Sequence, residues 1–188
     1  DAQDDASKQA LDVEDLIQQG VDLILINPVD SAAVGSAVQS ANTAGIPVIT
    51  VDRSADHGEV VSHIASDNVA GGALAGEYLL ELAGEGAKVA MLEGVAGSSA
   101  ARDRGEGFLT AVDGKVDLVS SLTANFDRSE GLTVMENMLQ ANPEIQAVFA
   151  QNDEMALGAL EAIEAANKNI IVIGFDATDD ASAKVEQG

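Results

Sequence analysis

The 188-residue chain contains no cysteine, no tryptophan and only two histidines, His57 and His63. Without cysteine it cannot form disulfide bonds, thiolate nucleophiles or cysteine-ligated metal sites. Two histidines provide few imidazole nitrogens to ligate a metal, so we expect no bound metal. We also expect no cofactor. The sequence also has no run of about 18 apolar residues, the length that a membrane-spanning helix requires. We therefore expect no direct membrane insertion.

Basic residues are also scarce, because nine lysines and arginines stand against 32 aspartates and glutamates, giving a formal net charge of -23. A protein with this large negative charge repels phosphate backbones and anionic lipid surfaces, so we expect nucleic acids and membranes to be poor partners. We interpret the acidic excess as a solvated surface adapted to high salt. Since arginines are rare, each one is expected to have a specific role; they are Arg53, Arg102, Arg104 and Arg128.

Apolar runs of strand length alternate with segments of helical period along the whole chain, which is typical of an α/β protein. The runs lie at 21–27, 47–52, 60–65, 88–93, 116–120, 147–150 and 170–175. They are too continuous for half-exposed strands, and strands that are buried on both faces belong to parallel sheets.

Helix ends can be recognised between these runs. Asp30 is predicted to cap a helix at 31–44, and Asp127 with Glu130 forms a capping box at the start of another. The pattern of the last segment, 179–187, predicts a helix. The chain begins without methionine or an apolar leader, just before a predicted helix. We expect it to be the central part of a longer protein.

Polar residues follow several predicted strands, where ligands bind in open parallel sheets. These strand-end residues are Asn27, Pro28, Asp52, Arg53, the turn 94–98, Gln151, Asn152, Asp153 and Asp176, with Asn125, Phe126, Asp127 and Arg128 in the turn before a further helix. Carboxylates accept hydrogen bonds from hydroxyls, arginine donates in a fixed fork, and an aromatic ring covers the apolar face of a pyranose. The set indicates binding of a neutral polyol.

Each of these residues also has a purely structural explanation. Asp52 and Arg53 can form a solvated ion pair at a turn, and Phe126 can act as a hydrophobic staple. Asn152 can cap the helix that starts at Glu154, and Asp176 can open a turn before Thr178. Arg104, and more so Arg102, can form an exposed ion pair with Asp103 or Glu106.

Enzymatic alternatives are weaker. Glycoside hydrolysis needs two carboxylates that flank the bond, for which Asp52 and Asp176 are the candidates. Arg53 favours an ionised Asp52, which suits a hydrogen-bond acceptor better than a general acid. The stretch 94–99 lacks both the Walker lysine and the G-x-G-x-x-G spacing. We therefore expect no catalytic residue and no enzyme.

The ordered series TVDR, SDN, SAARDRGEGF, QNDEMALGA and GFD resembles the type I periplasmic sugar-binding protein family over essentially the whole chain. The resemblance implies two Rossmann-like, doubly wound parallel-sheet domains that are joined by three crossovers and close over one sugar. It implies a partial first domain at 1–66 and a nearly complete second domain at 67–188. The ligand-binding residues implied by the resemblance are Asp52, Arg53, Arg104, Phe126, Asn152 and Asp176.

The same resemblance implies a monomeric binding protein of a sugar ABC transporter, located outside the cytoplasm. It would deliver a monosaccharide to a membrane permease with an ATPase partner. Ribose is the implied sugar, with allose, galactose and glucose left open. The alternative is the effector-binding domain of a lactose-repressor-family regulator, which requires a DNA-binding head. No basic helix-turn-helix is present in this sequence.

Overall fold

The computed structural model describes residues 1–188, which form seven helices and seven strands. In chain order they are α1 (Ala6–Gln19), β1 (Ile24–Ile26), α2 (Gly35–Thr43), β2 (Val48–Val51), β3 (Ser62–Ile64), α3 (Asn68–Ala83), β4 (Lys88–Glu93), α4 (Ser99–Val112), β5 (Asp117–Thr123), α5 (Arg128–Ala141), β6 (Ala147–Ala150), α6 (Asp153–Ala165), β7 (Ile171–Ile173) and α7 (Asp179–Gln187). Every predicted apolar run contains or overlaps one strand. All strand pairs are parallel, which confirms the predicted α/β class with parallel sheets.

The chain divides into two compact units. Unit 1 comprises Asp1–Asp67 and Gly97–Arg102, and unit 2 comprises Asn68–Ala96 and Asp103–Gly188. Each unit contains one parallel sheet, in the order β1-β2-β3 in unit 1 and β5-β4-β6-β7 in unit 2.

The core of unit 1 lies on one face of its sheet. Ile24 and Val48 of the strands pack with Val13 of α1 and Val38 of α2. Side chains alternate between the two faces of a strand, so Leu25 points away from this core and is 65% exposed. The prediction that the run 21–27 is buried on both faces is therefore wrong, because α1 and α2 both cover the same face. The same prediction is wrong for the run 60–65, since all three residues of the edge strand β3 are exposed.

The sheet of unit 2 is covered by helices on both of its faces, as expected for a doubly wound sheet. On one face, Val89 of β4 and Phe149 of β6 pack with Leu79 of α3 and Phe108 of α4. On the other face, the alternate residues of β4 and β6 pack with α5 and α6. These two central strands are buried on both faces, as their apolar sequences predict.

Helix ends follow the predicted capping chemistry only in part. Asp127 accepts a hydrogen bond from the backbone N–H of Glu130 at the start of α5, but the Glu130 side chain accepts from Asn125 and not from the backbone N–H of Asp127, so half of the predicted capping box forms. Asp30 accepts from the backbone N–H groups of Ala32 and Ala33, at 2.9 and 2.7 Å. The residues after it form turns, however, and α2 begins only at Gly35, so the predicted start of that helix is wrong.

Helices α3 and α4 approach each other closely at Gly72. A side chain at Gly72 would overlap the backbone carbonyl of Arg104. One turn further along α4, the Phe108 ring stacks on Phe149 of β6, with 4.5 Å between the ring centroids. The backbone of α4 is thus held against both α3 and the sheet.

The net charge of -23 predicts a marked salt dependence of stability. Self-repulsion weakens a compact state, and it is strongest in dilute buffer because the Debye length falls from about 30 Å at 0.01 M salt to about 10 Å at 0.1 M and 3 Å at 1 M. We expect the melting temperature to rise with chloride concentration, and to rise most steeply at low concentration, where screening changes most. Calorimetric scans at increasing sodium chloride measure this. A melting temperature that is unchanged between dilute buffer and molar chloride would contradict the interpretation of a surface adapted to high salt.

Candidate functional site

Four of the six predicted ligand-binding residues lie together in unit 2, at the carboxyl end of its sheet. Asn152 follows β6, Asp176 follows β7 and Phe126 follows β5, while Arg104 reaches the same place from α4. The carboxyl ends of parallel strands meet at one edge of a sheet, which is why residues distant in sequence converge there. These four residues, with the groups that contact them, are here called the strand-end cluster.

Arg104 is the centre of the strand-end cluster. It is buried, with 7% of its surface exposed. Its Nη2 lies 3.2 Å from Oδ1 of Asp176, and its Nη1 donates to the backbone carbonyl of Gln151 at 2.6 Å. The alternative of an exposed ion pair with Asp103 or Glu106 is therefore wrong.

Two aromatic rings accompany this guanidinium. Its Cζ lies 3.8 Å from the centroid of the Phe175 ring and 5.9 Å from that of Phe126. Both distances fall within the range of a cation–π interaction. The Phe126 ring also rests on Gly94, where any side chain would overlap it.

Asn152 joins the cluster to α6. Its Oδ1 accepts from the backbone N–H of Met155 at 3.0 Å, so it caps α6 as the structural alternative requires. Its Nδ2 donates to the backbone carbonyl of Phe126 at 3.3 Å. One side chain thus anchors the helix and the aromatic turn.

Backbone strain marks three of the predicted residues. Asp52, Phe126 and Asp176 have φ values of 64°, 61° and 109°. Positive φ is uncommon in residues other than glycine and is an outlier for a bulky side chain such as phenylalanine. Strain of this kind persists where the surrounding structure over-determines it, and it clusters at ligand sites.

Unit 1 holds the other two predicted residues, Asp52 and Arg53, directly after β2. The Asp52 carboxylate accepts from Nδ2 of Asn27 at 3.4 Å. Arg53 donates from Nη1 to the backbone carbonyl of Val29 at 3.0 Å, and its Nε lies 3.9 Å from Asp52. The predicted ion pair between Asp52 and Arg53 is therefore a long one. The contact of Arg53 with the Val29 carbonyl is shorter than its contact with the Asp52 carboxylate.

The two remaining arginines have other partners. Arg102 pairs with Asp56 at 2.9 Å, so its predicted pairing with Asp103 or Glu106 is wrong. Arg128 donates from Nε and Nη2 to Glu154 and also binds Asp180. The hydrogen bonds that Arg128 donates to Glu154 and Asp180 raise its pKa above its ordinary value.

Several residues of these surroundings were not selected from sequence. Phe175 directly precedes Asp176, and its position at a strand end was the available signal. Asn27 was recognised as a strand-end residue but was not placed in the site. Gln151 directly follows β6, so it is a strand-end residue like Asn152, whereas Asn68 contacts Arg104 from 36 residues away and no strand-end pattern identifies it.

The strand-end cluster has the chemistry of a polyol site. Arg104 provides N–H donors, Asp176 provides carboxylate acceptors, and Asn152 provides both kinds of group. Phe126 adds an aromatic face. No group of three or more histidine, aspartate or glutamate side chains is arranged to hold a metal ion, and no helix combines the length and apolarity needed to cross a membrane.

An open groove of about 280 Å³ lies elsewhere in unit 2, beside α6 and α7. Its lining includes Arg128 and Lys184. Both of these cations pair with carboxylates, Arg128 with Glu154 and Lys184 with Glu164. The groove lacks the strained backbone and aromatic rings that distinguish the strand-end cluster.

Comparison with known proteins identifies the family. The chain matches the periplasmic binding protein domain over residues 1–188. It is 60% identical to the ribose import binding protein RbsB of Bacillus subtilis over 99% of this chain and 61% of that protein. It is 57% identical to the ribose import binding protein RbsB of Escherichia coli K12 over 100% of this chain and 64% of that protein.

A solved structure of similar fold belongs to the same kind of binding protein. An ABC transporter solute binding protein from Bacillus halodurans C-125 with bound myo-inositol is 39% identical, has a TM-score of 0.95, and is matched over 100% of this chain and 67% of its own. The chain thus spans 61% and 64% of the length of the two ribose import binding proteins that it matches. The predicted family is confirmed, and the chain belongs to the periplasmic binding protein family.

Proposed function

We propose that the protein is the solute-binding component of a sugar ABC transporter and that its ligand is a monosaccharide, ribose in the first place. It would bind the sugar outside the cytoplasm and deliver it to a membrane permease. We further propose the six residues that sequence analysis selected as its ligand-binding residues: Asp52, Arg53, Arg104, Phe126, Asn152 and Asp176.

The observation that supports this proposal most strongly is the arrangement around Arg104. A buried guanidinium, the carboxylate of Asp176 and two phenyl rings meet at a strand end where the backbone is strained. A purely structural ion pair needs neither the strained backbone nor the rings. A sugar uses the guanidinium, the carboxylate and an aromatic ring together, because its hydroxyls both donate and accept and its C–H face packs against such a ring.

Ribose is preferred over other sugars because the relatives named for ribose import are 60% and 57% identical to this chain. The solved relative that holds myo-inositol is only 39% identical. A lactose-repressor-type function has no comparable support, since the relatives in question are named as import binding proteins.

A thermal-shift panel tests the sugar class directly. Ribose, allose, galactose, glucose and myo-inositol are each added at one concentration, and the melting temperature is measured. A ligand that binds only the folded state stabilises it by about 2.7 kcal/mol at 100 times its Kd, so the preferred sugar gives the largest rise. We expect ribose to be that sugar, and a larger rise with another sugar would refute the choice of ribose.

The variant Asp176→Ala serves as the loss-of-binding case in this panel. Asp179→Ala, at the exposed start of α7, is its matched control because it removes the same charge three residues away. We expect the ribose-induced shift to be reduced in Asp176→Ala and preserved in Asp179→Ala. If none of the sugars raises the melting temperature of the unmodified protein, the proposed function is wrong.

A further inference from the structure

Asn68, the first residue of α3, is a buried polar residue next to the proposed sugar site. It is 5% exposed, and its Oδ1 accepts a hydrogen bond from Nε of Arg104 at 2.9 Å. Burying a carboxamide is unfavourable unless it is hydrogen-bonded. The bond to Arg104 therefore satisfies an oxygen that would otherwise be costly to bury, and it links α3 to a predicted ligand-binding side chain.

Three acceptors surround the three nitrogens of the Arg104 guanidinium. Asn68 Oδ1 accepts from Nε, the Gln151 carbonyl accepts from Nη1, and the Asp176 carboxylate lies beside Nη2. Because the guanidinium is planar, hydrogen bonds at Nε and Nη1 together define the orientation of its plane. The Phe175 ring, 3.8 Å from Cζ, lies against one face of that plane.

The same face of α3 also positions the backbone of Arg104. Asn68 and Gly72 are four residues apart, so they lie on the same side of the helix. Gly72 packs directly against the Arg104 carbonyl, where no side chain fits. One turn of α3 thus contacts Arg104 at its backbone and at its side chain.

We propose that Asn68 is a positioning residue that orients the Arg104 guanidinium before the sugar binds. This inference depends on the proposed function, because it concerns the same site. A long, flexible side chain loses conformational entropy when a ligand orders it, and a side chain that is already ordered avoids that loss. Asn68 therefore raises sugar affinity without touching the sugar.

The first test compares Asn68→Ala and Asn68→Asp by titration calorimetry with ribose. We expect Asn68→Ala to raise the Kd about tenfold, since it removes one buried, charge-assisted hydrogen bond from the binding side chain. Asn68→Asp keeps an oxygen acceptor at the same position, so its Kd should stay within about threefold of the unmodified value. Equal losses in the two variants would overturn the proposal.

The second test separates positioning from general destabilisation. Asn42→Ala is the matched control, because the Asn42 side chain bonds to the backbone N–H and carbonyl of Glu59 in unit 1 and is not part of the strand-end cluster. It should lower the melting temperature and leave the Kd of ribose unchanged. If it weakens ribose binding as much as Asn68→Ala does, the effect of Asn68 is one of stability and the proposal is wrong.

A double-variant cycle shows whether Asn68 acts through Arg104. Arg104→Lys retains the positive charge but has no Nε–H for Asn68 to accept. In this background Asn68→Ala should change the Kd less than about twofold, whereas it changes the Kd about tenfold in the unmodified protein. A tenfold loss in both backgrounds would exclude a role through Arg104.

A sugar-free measurement distinguishes failure of this inference from failure of the proposed function. In ¹⁵N spectra of the unliganded protein, the Arg104 Nε–H signal should exchange slowly with water and should exchange faster in Asn68→Ala. Unchanged exchange would refute the positioning role whether or not ribose binds. If exchange changes as expected while no ribose binding is detected, the orienting contact stands and the proposed function fails.

Discussion

Replacing Arg104 with alanine should weaken ribose binding by roughly 2–4 kcal/mol, or about 30- to 1,000-fold in Kd. The substitution removes the donors that face Asp176, Asn68 and the carbonyl of Gln151. Asn68 and Gln151 are buried, so their oxygens would remain without a charged donor where water cannot replace it, while the exposed Asp176 carboxylate would lose its ion-pair partner and the sugar its cationic donor. Titration calorimetry with ribose measures the change.

Arg102→Ala is the control for this experiment, because Arg102 lies on the same helix two residues earlier. Its side chain is 46% exposed and pairs with Asp56. Exposed ion pairs contribute little, so we expect the Kd to change less than about threefold. A larger loss in Arg102→Ala than in Arg104→Ala would show that the wrong face of α4 has been assigned to the ligand.

Replacing Phe108 with alanine should lower the free energy of unfolding by about 3–5 kcal/mol. Phe108 is fully buried and stacks on Phe149 of the central strand β6. The substitution removes this stacked pair and leaves a cavity beneath α4, one turn after Arg104. Urea unfolding followed by circular dichroism measures the loss.

The neighbouring residue Leu109 is the matched control, since it lies on the same helix and is 40% exposed. Leu109→Ala should cost less than about 1 kcal/mol. Comparable losses in the two variants would mean that α4 is not held to the sheet by Phe108.

Much of the fold could be predicted because the strands are continuous apolar runs with polar ends. The runs at 88–93 and 147–150 coincide with β4 and β6, whose burial on both faces follows from their composition. Leu25 could not be predicted in this way. Its sequence context is as apolar as that of β4, but its exposure depends on which face of the sheet α1 and α2 cover.

The site could be predicted only in part, for a similar reason. Asn152 and Asp176 follow strands of unit 2, so the geometry of parallel sheets brings them to the carboxyl edge of that sheet, and Asp52 lies in the same way at the end of β2 in unit 1. Arg104 lies within a helix, and only the family resemblance selected it. Its partner Asn68 is 36 residues away and is brought to it by the packing of α3 against α4, which has no local sequence signal.

A crystal structure of the protein with ribose tests the proposed site most directly. We predict that the sugar lies at the strand ends of unit 2, hydrogen-bonded to Arg104, Asn152 and Asp176, with its C–H face against Phe126. Ribose bound instead in the groove beside α6 and α7, or absent at a saturating concentration, would contradict the proposed site.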